Sequence, residues 1–106
     1  MFVPSTAESL KGTVEMGQSA KHIIFTGRVQ GVGFRFTAFN IANRYHLTGL
    51  VRNLSNGAVE MIAQGHADNI DNCIRDIKKS FAGYVKETQI EEIPPDPQYK
   101  DFKITF

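Results

Sequence analysis

Gly31, Gly33 and Arg35 stand close together in Gly27-Arg28-Val29-Gln30-Gly31-Val32-Gly33-Phe34-Arg35, and further downstream comes Asn53. Glycines lack a Cβ, so a loop holding them takes positive φ and turns several N–H groups toward one point. Such a nest suits an anion of phosphate size. An arginine beside it adds a planar guanidinium fork suited to two phosphoryl oxygens. The carboxamide of an asparagine accepts one hydrogen bond and donates another, so it is able to orient a water but is not basic enough to deprotonate it.

The elements on either side must place these groups. Ile23-Ile24-Phe25 read as a strand, and Phe34, Ala38, Ile41 and Tyr45 recur at the three-to-four-residue spacing of a helix face. The glycine loop therefore sits on a helix N-terminus, where the first N–H groups lack intrahelical partners and carry the positive end of the dipole. The same loop also serves as a tight strand-to-helix turn with no ligand, and each residue has a plain alternative. Arg35 fits a solvated helix position, and Asn53 fits the start of a turn with Ser55 and Asn56. A P-loop is absent, since no Lys-Ser or Lys-Thr follows the second glycine, and Phe36 stands where a dinucleotide fingerprint needs its third glycine.

The linked spacing of several segments is more specific. Gln30-Gly31-Val32-Gly33-Phe34-Arg35, Leu47-Thr48-Gly49-Leu50-Val51-Arg52-Asn53, Asn56-Gly57-Ala58-Val59-Glu60 and Gln64-Gly65 occur in that order. Together they resemble the acylphosphatase family, over a stretch from about Lys21 to Phe102-Lys103-Ile104. The resemblance implies that Arg35 is the catalytic, phosphate-binding arginine and Asn53 the water-positioning asparagine. It implies that Gln30, Gly31, Val32, Gly33 and Phe34, closed by Arg35, form the phosphate-cradling loop. No metal and no cofactor are implied. One departure stands out, because the family commonly has Gly-Trp-Val where this chain has Gly49-Leu50-Val51. Altered packing near the site is the expectation there.

The reaction so implied is metal-independent hydrolysis of an acyl phosphate to a carboxylate and inorganic phosphate. A carboxylate is a weakly basic leaving group and departs without a strong general acid. What remains is to hold the phosphoryl oxygens, absorb charge and align a water, which is positioning and electrostatics. The expected partners are a small-molecule acyl phosphate and inorganic phosphate, the latter as product and competitive ligand. Acylphosphatase-like domains also occur inside larger enzymes, so an anion- or carbamoyl-phosphate-handling module is the rival within phosphate chemistry, and a free-standing chain favours the simple enzyme.

The 106 residues suit one small domain, and the 42% apolar content is typical of a globular chain. No apolar run is long enough to span a membrane. A net charge of +1 gives no general pull toward nucleic acid. Residues 1–53 carry six Lys/Arg against two Asp/Glu and residues 54–106 six against nine, so the anion-binding segments fall in the positive half. The lone Cys73 excludes a disulfide framework, and Lys79 stands where a cysteine phosphatase needs its arginine. Cys73 shares the apolar spacing of Ile70, Ile74 and Ile77 and is expected in the core. His22, His46 and His66 lack metal-ligand spacing. A cytoplasmic monomer is expected.

Residues 1–20 read as a mobile tail, with Met16 as an alternative start, and residues 21–106 as the domain. Strands are predicted at residues 21–28, 47–54, 58–64, 84–93 and 102–106, and helices at 34–46 and from Asp68, as cap or first-turn acid, to about Phe81. Ser55-Asn56-Gly57 signals a tight hairpin of the primed type. Two helices split by a hairpin must cover one face of a mostly antiparallel sheet, a ferredoxin-like split-βαβ α+β sandwich of five strands. RNA-recognition domains share that order of elements but place paired aromatics on central strands. Residues 58–64 contain none, and Phe25 has a simpler role in the core.

Overall fold

The computed structural model describes residues 18–106. Residues 1–17, which hold most of the expected tail and Met16, lie outside the described residues. The elements run β1 (Gln18–Gly27), α1 (Phe34–Arg44), β2 (Thr48–Asn53), β3 (Val59–His66), α2 (Ala67–Ser80), β4 (Val85–Ile93) and β5 (Phe102–Thr105). β1 opens three residues ahead of Lys21, because Gln18, Ser19 and Ala20 pair with His66, Gly65 and Gln64 of β3.

The five strands lie in the order β4-β1-β3-β2-β5. All neighbours are antiparallel except β2 and β5, which run parallel. Both helices pack on one face, as the ferredoxin-like arrangement requires. Strand alternation supplies that face with Ile23, Phe25, Val51, Val59, Met61 and Ala63, all fully buried. α1 meets it with Phe34, Ala38 and Ile41, and α2 with Ile70, Cys73, Ile74 and Ile77, the two stripes expected from spacing. Burial pushes the Cys73 thiol up to about 12, so it is a packing group with almost no thiolate at neutral pH. Phe25 is on this inner face and buried, which leaves it unavailable for stacking on a base. No helix among the described residues is long and apolar enough to cross a membrane.

Three boundaries differ from the sequence pattern for physical reasons. α1 ends at Arg44 rather than 46, because His46 turns left-handed at φ 58° and the Ala42 carbonyl accepts from the Leu47 N–H at 3.0 Å. Glycine or asparagine usually marks such an end. The β2–β3 connection is a three-residue loop, with the Leu54 N–H bonded to the Ala58 carbonyl at 2.9 Å and Gly57 alone at positive φ. That is a type I turn closed by a left-handed glycine, in place of a primed turn. The α2 cap is His66, whose Nδ1 accepts from the Asp68 N–H at 3.3 Å, and Asp68 is the first-turn acid.

Gly49 is fixed by close approach, since a Cβ there would meet the Ile62 carbonyl oxygen at 1.8 Å. Leu50, next along β2, pairs with Ile62 and Lys103 on the face away from the helices. Leu50, where the resemblance leads to an expected tryptophan, therefore sits on the outer face of the sheet.

That outer face carries one ionic cluster. Glu60 accepts from Arg52 Nε at 2.5 Å and lies 2.7 Å from His22 Nε2. Burial pushes the Glu60 carboxyl up, but the hydrogen bonds from His22 and Arg52 outweigh it and hold it below its ordinary value. A carboxyl with a lowered folded pKa stabilises the fold fully above its ordinary value of 4.5 and loses that contribution as pH falls through the lower folded value. Glu60→Gln is expected to cost roughly 1–3 kcal/mol at neutral pH. Thermal unfolding across pH should show the gap between variant and parent closing in acid.

Candidate active site

The loop between β1 and α1 rests on aromatic packing. Phe25 of β1, Phe34 at the first turn of α1 and Phe81 after α2 stack in series, with ring centroids 5.0 and 4.6 Å apart. Phe34 therefore serves the site from beneath, as a buried anchor that holds the start of α1 against the sheet. Above it lies the glycine-bearing backbone of the loop. Gly31 and Gly33 take φ 77° and 78°, and a Cβ at either would meet open space, so left-handed backbone rather than crowding selects glycine.

Gly33 is also the N-cap of α1, and no side chain caps the helix. Its carbonyl accepts from the Thr37 N–H at 3.1 Å, the first bond of the helical ladder. The N–H groups of Phe34, Arg35 and Phe36 are thus left without helical partners, at the positive end of the dipole. No acidic side chain occupies the first turn.

These groups face a concave pocket of about 260 Å³ lined by Val29, Gly31, Gly33, Phe34, Arg35, Phe36, Asn53, Ile104 and Phe106. Arg35, both cradle glycines and Asn53 meet there although the sequence separates the last from the rest. Asn53 is the final residue of β2 and shares the inward-facing register of Val51, which carries it past the core to the loop. Sites for drug-sized ligands run to roughly 300–1,000 Å³, so this one fits a small molecule. A larger groove of about 490 Å³ between α2 and β4 contains none of the loop residues.

Arg35 is half-buried and, among the described residues, is the only charged side chain on the pocket wall. The C-terminal segment steadies it, with Nη1 donating to the Thr105 carbonyl at 3.4 Å and the guanidinium 4.9 Å from the Phe106 ring centre. Among the described residues that long bond is the sole hydrogen bond of its side chain, so most of the five guanidinium donors are free for a ligand. The Asn53 carboxamide likewise bonds no described protein group. Among the described residues the lining holds no Asp, Glu, His, Lys or Cys. Among the described residues no group of three or more such side chains is placed to hold a metal ion.

Not every residue of the expected loop faces the pocket. Val32 is exposed and outside its lining. The Gln30 side chain turns the other way, its Nε2 donating to the carbonyls of Leu54 and Ala58 at 2.8 Å each. Arg28 stacks on Tyr84 at 5.2 Å and Arg52 pairs with Glu60, so neither joins the site. The sequence reading missed the rim, where Ile104, Phe106 and Phe36 supply apolar surface. Only the parallel pairing of β5 with β2 brings the chain's last residues there, and no local pattern signals that.

Comparison with known proteins bears on the fold and the family. The family model described as Acylphosphatase matches residues 21–104. An acylphosphatase of Chlorobaculum tepidum is 38% identical over 90 residues, which cover 84% of this chain and 98% of that one. The solved acylphosphatase of Coxiella burnetii superposes with a TM-score of 0.79 at 34% identity, covering 86% of this chain and 96% of that chain. Full-length HypF, solved in a phosphate- and nucleotide-bound form, matches with a TM-score of 0.72 at 36% identity, over 84% of this chain and 12% of that chain.

Proposed function

Because the chain belongs to the acylphosphatase family, and so is a hydrolase of acyl phosphates, we propose how its pocket divides the work of that reaction. The observation that carries the reading is the meeting of Arg35, the Gly31–Gly33 nest and Asn53 in one pocket. The phosphoryl oxygens lie against the open N–H groups of Phe34, Arg35 and Phe36 and against the guanidinium of Arg35. Asn53 orients a water opposite the leaving carboxylate. The water oxygen forms a bond to phosphorus, the bond from phosphorus to the acyl oxygen breaks, and the carboxylate leaves with that electron pair.

The water's proton passes to a phosphoryl oxygen, because the described residues of the wall include no side chain basic enough to take it. Catalysis then rests on donors fixed before the reaction and aimed where charge accumulates. The rim of Phe36, Ile104 and Phe106 accommodates the acyl end, which needs no charged partner.

The reading is tested with benzoyl phosphate and a metal chelator. Turnover is expected to survive chelation and to be inhibited competitively by inorganic phosphate, and a chelator that abolishes it would overturn the metal-independent route. The described residues of a single chain are enough to line the pocket, and the chain is proposed to act as a monomer. Sedimentation at working concentrations should give a single species near 11.8 kDa, and a dimer would contradict it.

A further inference from the structure

Gln30 immediately precedes the first cradle glycine, and Leu54 immediately follows Asn53. The two Nε2 protons of Gln30 bridge from the loop to both sides of the β2–β3 connection, to the Leu54 carbonyl and the Ala58 carbonyl. With two carbonyls as partners, the amide end of the side chain must point this way, since its oxygen would be repelled. We infer that Gln30 is a positioning residue for hydrolysis, setting the distance between the phosphate cradle and the water-orienting Asn53. The inference rests on the reading of Asn53 given above.

The bridged segment is otherwise self-contained. The Leu54 carbonyl already accepts from the Gly57 N–H at 3.2 Å and the Ala58 carbonyl from the Leu54 N–H at 2.9 Å. Asn56 Oδ1 accepts from the Ala58 N–H at 3.0 Å. The connection thus holds its own shape, and removing Gln30 orphans neither carbonyl. What the bridge adds is the placement of that rigid turn relative to the Gly31–Gly33 loop. No other side-chain hydrogen bond among the described residues links the two segments. In-line attack is sensitive to this placement, since misplacement by about 1 Å costs on the order of 10²-fold in rate.

The test is Gln30→Met, which keeps length and volume and deletes both donors, measured with benzoyl phosphate beside Asn53→Ala and the double variant. Gln30→Met is expected to lower kcat by at least about 10-fold while the inhibition constant of inorganic phosphate stays within about twofold, because the cradle itself is intact. The double variant should be no slower than Asn53→Ala, since a misplaced asparagine and an absent one are equivalent. A purely structural role predicts losses that multiply. Unchanged kcat in Gln30→Met, parallel loss of phosphate affinity, or multiplicative losses would each overturn the inference. Should Gln30→Met not fold, Gln30→Asn, which keeps the amide but is too short to reach both carbonyls, is read by the same criteria. An Asn53→Ala variant with full activity would show that the underlying reading had failed, whatever Gln30 does.

Discussion

Replacing Arg35 with glutamine is expected to lower kcat/KM for an acyl phosphate by at least about 10²-fold, the scale seen when one transition-state donor is removed. Among the described residues Arg35 is the only charge on the pocket wall, so none of them takes over its part. Glutamine keeps polarity but loses the cation and the fork. The loss should appear in both kcat and KM, because the guanidinium meets the phosphoryl oxygens in the ground state as well as the transition state, and inorganic phosphate should inhibit more weakly. Arg35→Lys restores charge without the two-point geometry and should fall between. Folding is not expected to account for the effect. Among the described residues the polar contacts of the Arg35 side chain are one 3.4 Å hydrogen bond and a stack on the exposed Phe106, so the stability cost should stay at about 1 kcal/mol or below. A thermal midpoint near that of the parent, measured with the kinetics, checks this, and near-parental turnover would remove Arg35 from the mechanism.

The architecture was readable wherever a periodic pattern was long. The α2 stripe of Ile70, Cys73, Ile74 and Ile77 and the inward alternation of Ile23 and Phe25 fix which faces meet, and two such helices around a hairpin leave one economical packing. Boundaries were harder because they depend on single backbone choices. His46 adopts the left-handed conformation that glycine usually signals, so the end of α1 is invisible in the residue types. The hairpin type was misjudged because Asn56 keeps negative φ and only Gly57 turns left-handed, a choice that Asn-Gly permits but does not dictate.

The turn at Gly31 and Gly33 and the place of Arg35 in the first turn of α1 were legible, because glycine pairs before an apolar helical stripe mark a strand-to-helix turn locally. Asn53 was not legible from its surroundings, where a turn explains it equally well, and it depended on family spacing. Its register on β2 now supplies the missing reason, since inward alternation after Val51 brings it to the loop. Gln30 belongs to the cradle segment by family resemblance, and only tertiary contact shows its side chain facing the hairpin. The rim residues Ile104 and Phe106 had no signal at all, because the parallel β2–β5 pairing that delivers them is a long-range event.

Asn53→Ala separates alignment of water from binding of phosphate. If Asn53 orients the attacking water, its removal is expected to reduce kcat by about 10²-fold, the cost of losing near-attack geometry. The N–H nest and Arg35 remain, so KM and the inhibition constant of phosphate should change little, the pattern of an interaction made mainly in the transition state. Asn53→Asp makes a sharper contrast. A carboxylate there faces the phosphoryl oxygens across the same small pocket, so like-charge repulsion should weaken phosphate binding as well as slow turnover. Should Asn53→Ala instead lose phosphate affinity in step with kcat, Asn53 would be part of the anion cradle. The water would then have to be held by the substrate's own oxygens.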